Sequence, residues 1–400
     1  MAKLFGKAGP VLGVDIGSNS VKVVQVKTTN KGLVLEKLGI ARIQLSNGKS
    51  DKGEVSDKAV VDAIKAAVAD SGSNLRNVCS SIAGESVIVR YLQFPDMNDE
   101  ELDYAVHLQA EEYIPFRLDD VNLDYQRLDT QTVEGGKRID LLLVAVRKDL
   151  VSRRMDLLKS VDLNPVVMDV DSFALLNCLE ANYDFRPDEV IAVVNIGASI
   201  TNINIYIKGV SRFTRDISLG GNSITSAIAG KLGMSFLEAE KIKKDEGIIL
   251  TKEPKPDANE PSDVGSGDNL PNNNVAEAIK STVEKITGEK LGEEDRKTKL
   301  VGIIRQPVQN LITEVRRSLQ FFENQPNGKP VAKVLLTGGG AKLQNVDRYM
   351  ADRLGLPVEI ADPLKKVDIS FLRKPGFNLQ EQAPLLAVGI GLGLRKFGDK

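Results

Sequence analysis

A chain of 400 residues, 42% of them hydrophobic, is long enough for two or three globular domains with cores of their own. Its 53 Lys and Arg nearly balance its 55 Asp and Glu, so no global field draws it to nucleic acid or to an anionic bilayer. The longest strongly apolar run, "APLLAVGIGLGL" at 383–394, is shorter than the roughly 20 residues a spanning helix needs.

In chain order, "VLGVDIGSNSVKVVQVK" at 11–27 reads as a strand that turns through Gly17, Ser18, Asn19 and Ser20 beside Asp15, then runs back as a second strand. The β-branched pattern continues to 43 and returns at 78–94, 121–147 and 190–218. "SDKAVVDAIKAAVADSG" predicts a helix over 57–70, with Ser56 as N-cap and Gly72 as stop. "NDEELDYAVHLQAEEYIPF" predicts another, capped by Asn98 and closed by Pro115. Residues 251–274, rich in Pro, Asn, Asp, Gly and Ser, predict a disordered surface loop inside a helical region. Beyond it an amphipathic period is interrupted at Pro307, and "KPVAKVLLTGGGAKLQNVDRYMADRLG" reads strand, glycine loop, helix. Cys79 and Cys178 lack partners at metal spacing and read as buried thiols in a reducing compartment. "MAKLFGK" at 1–7 is too short for stable membrane anchoring and reads as an extension.

The chain repeats itself. "VLGVDIGSNSVKVVQV" is echoed by "IAVVNIGASITNINIYI" at 191–207, which predicts two similar domains facing each other with a ligand between their turns. A turn of Gly17, Ser18, Asn19 and Ser20 offers backbone N–H groups and hydroxyls with little bulk, which suits a phosphate. Asp15 could hold a water of a Mg²⁺ ion, and Lys22 is either a phosphate-facing cation or the polar face of a strand. Gly338, Gly339 and Gly340 would let a ligand approach the backbone beside a helix N-terminus. Glu240 and Lys243, three apart on a helix, address one ligand or form a solvated ion pair.

Taken in order, "GVDIGSNSVK", "VVNIGASITNINI", "SLGGNSIT", "AEKIK" and "LTGGGAKL" resemble the actin, Hsp70 and sugar-kinase superfamily. More narrowly, "AEEYIPFRLDDVNLDY", "EVRRSLQFF" and "APLLAVGIGLGLR" resemble the PilM family of type IV pilus assembly proteins. The resemblance implies an α/β, actin-like (ribonuclease-H-like) duplicated nucleotide-binding fold with a small α+β subdomain inserted as in FtsA. The first actin-like subdomain would take 10–85, 166–187 and 383–397, and the insertion 86–165. The second would take 188–225 and 326–382, and a helical subdomain 226–325. Carried over residue by residue, the ATP and Mg²⁺ site would comprise Asp15, Gly17, Ser18, Asn19 and Lys22 at the first turn, with Asp15 toward the metal. Asn195 and Gly197 would form the second turn. Gly220, Gly221 and Asn222 would approach the nucleotide, Glu240 and Lys243 the ribose or base, and Gly338, Gly339 and Gly340 the adenosine side.

An amide at Asn195, where the superfamily usually has Asp, cannot bind Mg²⁺ as a carboxylate, which implies slow or absent hydrolysis and no assigned catalytic residue. Asp169 and Asp171 read as water-orienting groups or as caps and surface carboxylates. The resemblance further implies a cytoplasmic protein, peripheral at the inner membrane only through partners. Its direct partner would be the N-terminal cytoplasmic peptide of PilN, and its indirect ones PilO, PilC and the PilB and PilT motor ATPases. A homo-oligomer or ring is open, and nucleic acid is not expected. The peptide would dock by an apolar groove or a sheet edge. Strands at 86–94, 121–128 and 138–147 are candidate edges, and Tyr113, Ile114, Pro115 and Phe116 are groove lining or core. His107 and the pairs Arg153-Arg154 and Arg316-Arg317 read as helix-surface groups. The competing classes are an active ATPase or small-molecule kinase and an FtsA-like division protein.

Overall fold

The protein is described as a computed structural model covering residues 9–44, 55–84, 87–133, 136–186, 188–248, 293–325, 328–372, 374 and 377–399. The loop expected at 251–274 and the extension at 1–7 lie outside these residues.

Two sheets share one topology. In the first, β1 (Leu12–Ile16), β2 (Ser20–Thr29) and β3 (Gly32–Arg42) form an antiparallel meander, and β4 (Asn77–Ile82) and β8 (Asn164–Val170) continue it in parallel on the other side of β1. In the second, β9 (Val190–Ile196), β10 (Thr201–Ile207) and β11 (Val210–Ile217) repeat the meander, with β12 (Lys333–Thr337) and β13 (Val358–Ile360) parallel beyond β9. A short strand, β14 (Val367–Asp368), joins the edge of β3. Helix α1 (Asp57–Ser71) covers the outer face of the first sheet with Val60, Ala63, Ile64 and Ala67, starting at Ser56 and ending on a left-handed Gly72 as its caps predict.

Between the sheets lie α4 (Asp171–Asn182) and helix Ala387–Gly393, which bury Leu175, Leu179, Ala387 and Ile390 against both halves. Their backbones nearly touch: a Cβ on Gly391 would lie 1.7 Å from the Ala174 carbonyl oxygen. This contact explains the glycine-rich apolar run near the end of the chain. No helix among the described residues is long and apolar enough to cross a membrane. Behind the second sheet, α5 (Gly221–Leu232), α6 (Phe236–Glu246) and helix Glu293–Glu323 close the core through Ile224, Ile228, Ile242, Leu311 and Val315. That last helix runs through Pro307 without ending. Ile304 and Val308 are each 1% exposed, and burial of about 1.5–3 kcal/mol per large side chain can offset the hydrogen bond a proline removes.

A third sheet, in the order β5 (Val87–Pro95), β7 (Gly136–Arg147), β6 (Val121–Val133), stands between β4 and β8 in the sequence. Helix α2 (Asp99–Tyr113), opened by an Asn98 capping box, packs Leu102, Val106 and Ala110 against Ile139, Leu141, Leu143 and Ala145. Of the candidate edges, 138–147 is corrected: it lies in the central strand, hydrogen-bonded on both sides. Ile114 is buried in this core and Phe116 packs against it. The helix that follows, α3 (Lys148–Lys159), lies within the expected 86–165 segment, yet its Leu158 is buried in the core of the first sheet.

Candidate functional site

The first turn is built by register. Asp15 and Lys22 are cross-strand partners in β1 and β2, and the Gly17 amide closes the turn by donating to the Ser20 carbonyl at 3.1 Å. Opposite charges at one register position meet directly: Lys22 Nζ lies 3.1 Å from Asp15 Oδ2, both side chains about nine-tenths buried. Ser18 and Asn19 form the exposed tip. A Cβ at Gly17 would come 3.3 Å from Lys22 Nζ, so the bare glycine keeps the ammonium reachable across the turn.

The second turn repeats the backbone with different chemistry. Asn195 and Asn202 occupy the paired register position, and the Gly197 amide donates to the Ile200 carbonyl at 2.9 Å. Here the partners are amides: Asn195 Nδ2 donates to Asn202 Oδ1 at 2.8 Å, and Asn202 Nδ2 to Asp216 Oδ1 at 2.6 Å. The start of α5 is fastened to this turn, because the Gly221 amide donates to the Gly197 carbonyl at 3.0 Å and the Asn222 amide to the Ala198 carbonyl at 2.7 Å. Gly220 is required by that closeness: a Cβ there would lie 2.6 Å from the Ala198 oxygen.

Glu240 and Lys243 form a partly buried knot against α5. Lys243 Nζ is 2.5 Å from Glu240 Oε2 and donates to the Gly221 carbonyl at 3.1 Å, while Thr225 Oγ1 donates to Glu240 Oε2 at 2.6 Å. Burial works against the Glu240 charge, but the neighbouring Lys243 charge and the hydrogen bonds from Lys243, Thr225 and Lys244 hold its carboxyl below the usual range. A Cβ on Gly221 would sit 3.4 Å from Lys243 Nζ, the same relation as Gly17 to Lys22.

The glycine run differs from its expectation. Gly338 has φ +83°, and a Cβ on it would meet Asn195 Oδ1 at 2.5 Å; one on Gly340 would meet Ile196 Cγ2 at 2.2 Å. These two are bare so that the chain can pack on the second turn, while exposed Gly339 faces outward with only the Leu385 side chain near. The helix that follows begins only at Val346, after a 3₁₀ turn Gly339–Lys342, so its N-terminus does not address this loop directly.

Two groups, Asp171 and Arg154, join the site from a distance. Asp171, at the first residue of α4, has its carboxyl pushed up to about 6, by burial first and then by the Asp15 charge, with Asp216 adding and the Ser81 hydrogen bond and Arg154 opposing. Asp15 and Asp216 both act on Asp171, so the first turn and the second-turn network lie near one buried carboxyl. Asp169 instead pairs with Arg395 at 3.5 Å. Arg154, read from sequence as a helix-surface group, reaches from α3 to donate to the Ile16 carbonyl at 3.2 Å. Burial lowers its pKa from the usual guanidinium value, opposed by the charges of Asp171 and Asp15, and it remains cationic. His107 stays an exposed helix residue, its Nδ1 2.9 Å from the Asp103 carbonyl oxygen.

The donor set fits an oxyanion. Two ammonium groups stand behind bare glycines, and a guanidinium supports one of the turns. For Mg²⁺, the carboxylate at the first turn is Asp15, which Lys22 meets at 3.1 Å; among the described residues no three His, Cys, Asp or Glu converge on a metal position.

Two related half-domains around one cleft, with a sheet inserted in the first, define an actin-like α/β fold. The family model described as Type IV pilus assembly protein PilM matches residues 13–251, well over half of the chain, and that for Cell division protein FtsA matches 192–390. The chain belongs to the PilM family of type IV pilus assembly proteins. A solved PilM-PilN type IV pilus biogenesis complex is 28% identical with a TM-score of 0.75, covering 97% of this chain and 98% of that one. Cell division protein FtsA of Staphylococcus epidermidis is 25% identical over 92% of this chain and 76% of its own length. FtsA of Buchnera aphidicola subsp. Baizongia pistaciae is 23% identical over 98% and 91%.

Proposed function

We propose that this chain is an ATP-binding scaffold of the type IV pilus machine, which takes the N-terminal cytoplasmic segment of PilN and responds to nucleotide as a structural ligand or switch. The observation that carries this reading is the pair of matched turns, each with its glycine and cross-strand polar pair, on a chain similar to a PilM-PilN complex along nearly its whole length. Asp15, Gly17, Ser18, Asn19 and Lys22 would hold phosphates from one side, Asn195, Gly197, Gly220, Gly221 and Asn222 from the other. Glu240, Lys243 and Gly338 to Gly340 would bound the nucleoside. Mg²⁺ would supply charge neutralisation between phosphate oxygens, with Asp15 accepting from its water shell. Hydrolysis is slow or absent: Asn195 offers an amide where a second carboxylate would be needed, and Asp15 is already engaged by Lys22.

Through PilN the protein would sit at the cytoplasmic face of the inner membrane, reaching PilO, PilC and the PilB and PilT motors indirectly. Titrating a synthetic PilN N-terminal peptide into the full chain, with and without Mg-ATP, tests the reading. Saturable binding that shifts with ATP in the wild type and not in Asp15→Ala is expected. The match to FtsA over 192–390 favours a second reading, a division-type protein; it gains if the peptide fails to bind in every state.

A further inference from the structure

Three hydrogen bonds run in series from the second turn to the root of the inserted sheet. Asn195 Nδ2 donates to Asn202 Oδ1 at 2.8 Å, Asn202 Nδ2 to Asp216 Oδ1 at 2.6 Å, and the Gly84 amide to Asp216 Oδ2 at 2.6 Å. The first two stay within the second sheet. The third leaves it, joining residues 132 positions apart in the chain.

Gly84 is the joint on the other side. It follows β4, has φ +105°, and its carbonyl accepts from the Val87 amide that opens β5 at 2.9 Å. Its Cα also faces the second turn, since a Cβ there would lie 3.3 Å from Ile200 Cδ1. Farther along, the inserted sheet rests on the same edge strand: Tyr91 and Ser211 hydroxyls hydrogen bond at 2.6 Å, and Arg212 pairs with Asp140 at 3.0 Å. Strand β11 therefore holds the sheet near Ser211 and Arg212, and grips its root at Asp216. A cavity of about 160 Å³ lies against that grip, walled by Val170 and Ser172 from the first half, Val87 and Val89 from the inserted sheet, and Asn202 and Thr214 from the second half. The joint thus has room to change.

We propose that Asp216 is the positioning residue through which an anionic ligand at the second turn sets the orientation of the inserted sheet. This rests on the reading that the turns hold ATP. Asn195 gives one of its two amide hydrogens to Asn202, so a phosphate that draws on the other turns the amide and alters that bond. Asn202 then reorients, its hold on Asp216 changes, and the Gly84 amide is held more or less firmly. Such a ligand couples two places only if its contacts differ between the two arrangements, and this chain of donors supplies the difference. Asp216 serves both neighbours because a carboxylate accepts through two oxygens. An amide in its place would turn a donor toward one of them.

The test is hydrogen–deuterium exchange of the full chain with and without Mg-ATP, in wild type, Asp216→Ala, Asn202→Ala and the double variant, with ATP affinity measured on the same samples. ATP is expected to change exchange in 84–95 in the wild type. In each single variant that change is lost while ATP still binds, and the double variant loses no more than either alone. As a second readout, ATP should shift PilN-peptide affinity by about fivefold or more in the wild type and not in Asp216→Ala. Retained ATP-dependent exchange in Asp216→Ala overturns the proposal, as does a wild type that binds ATP with no change in 84–95. If Asp216→Ala fails to bind ATP or to fold, Asn202→Ala, which leaves the Asp216 carboxylate on Gly84, decides. A wild type that does not bind ATP at all defeats the underlying reading and this proposal with it.

Discussion

The two turns have the same backbone and opposite electrostatics. At the first, the cross-strand position holds a buried ion pair, Asp15 with Lys22 at 3.1 Å. At the second it holds two amides, Asn195 and Asn202, whose bonds continue into Asp216 and Gly84. An ion pair concentrates charge at one place, whereas an amide has both a donor and an acceptor and can pass a hydrogen-bond change onward. The duplication therefore separates two tasks: the first turn concentrates charge and the second connects to the rest of the molecule.

The largest way to break this comparison is to discharge the first turn. Asp15→Ala leaves Lys22, a residue 8% exposed in the wild type, without its carboxylate. Removing one partner of a buried pair costs roughly 3–5 kcal/mol, so a fall of that size in chemical-denaturation stability is expected, together with loss of ATP binding. A change below about 1 kcal/mol would mean that the pair behaves as a surface one.

Next in size is a matched pair of substitutions at the second turn. Gly220→Ala would drive a methyl to 2.6 Å from one carbonyl oxygen and 2.7 Å from another, both on the turn, while Gly221→Ala meets nothing closer than 3.4 Å, at the end of a lysine. Overpacking against backbone costs about 1–3 kcal/mol. Gly220→Ala should lower the melting temperature clearly and Gly221→Ala little, whereas Gly221→Ala should still weaken ATP because its methyl stands before Lys243. Equal melting temperatures would show that the turn yields.

A smaller effect sharpens where the charge of the cleft lies. Asp171 has its carboxyl raised from 3.8 to about 6, with burial the first cause and Asp15 the second. An acid whose native pKa exceeds its unfolded one binds more protons when folded, so its stabilising share is full below pH 3.8 and is lost as pH rises through about 6. Asp171→Asn should therefore raise the thermal midpoint near neutral pH relative to wild type and give no gain near pH 4. A parallel offset at both pH values would contradict this.

What could be read from the sequence was local. Strand, Ile-Gly, small polar residues and strand are contiguous at both turns, and the caps Ser56 and Asn98 act within four residues. The two actin-like halves followed from that echo. Arg154, Asp216 and Gly84 were not legible as parts of one site, because Arg154 meets Ile16 across 138 positions and Gly84 meets Asp216 across 132. Nothing in "SRRMD" or "TRDIS" marks such a partner. The glycine run was legible only in part: Gly338 and Gly340 are bare against Asn195 and Ile196, and Gly339 alone faces outward. Composition reports that a side chain is missing, while only packing reports what stands in its place.

The finest comparison is between two neighbouring lysines on one carboxylate. Lys243 and Lys244 both pair with Glu240, at 2.5 and 3.0 Å, but their side chains are 11% and 47% exposed. Lys244 is solvated and screened, so Lys244→Ala should cost only a few tenths of a kcal/mol and leave ATP affinity unchanged. Lys243 also donates to Thr225 Oγ1 at 2.9 Å and to the Gly221 carbonyl at 3.1 Å, tying α6 to the start of α5, which is itself fastened to the second turn. Lys243→Ala deprives buried acceptors of a charged donor, at about 2 kcal/mol. The expected pattern in paired denaturation and ATP titrations is a loss for Lys243→Ala in both and a loss for Lys244→Ala in neither. If the two variants behaved alike, the Glu240 cluster would be a surface ion-pair network, and the site would end at the two turns.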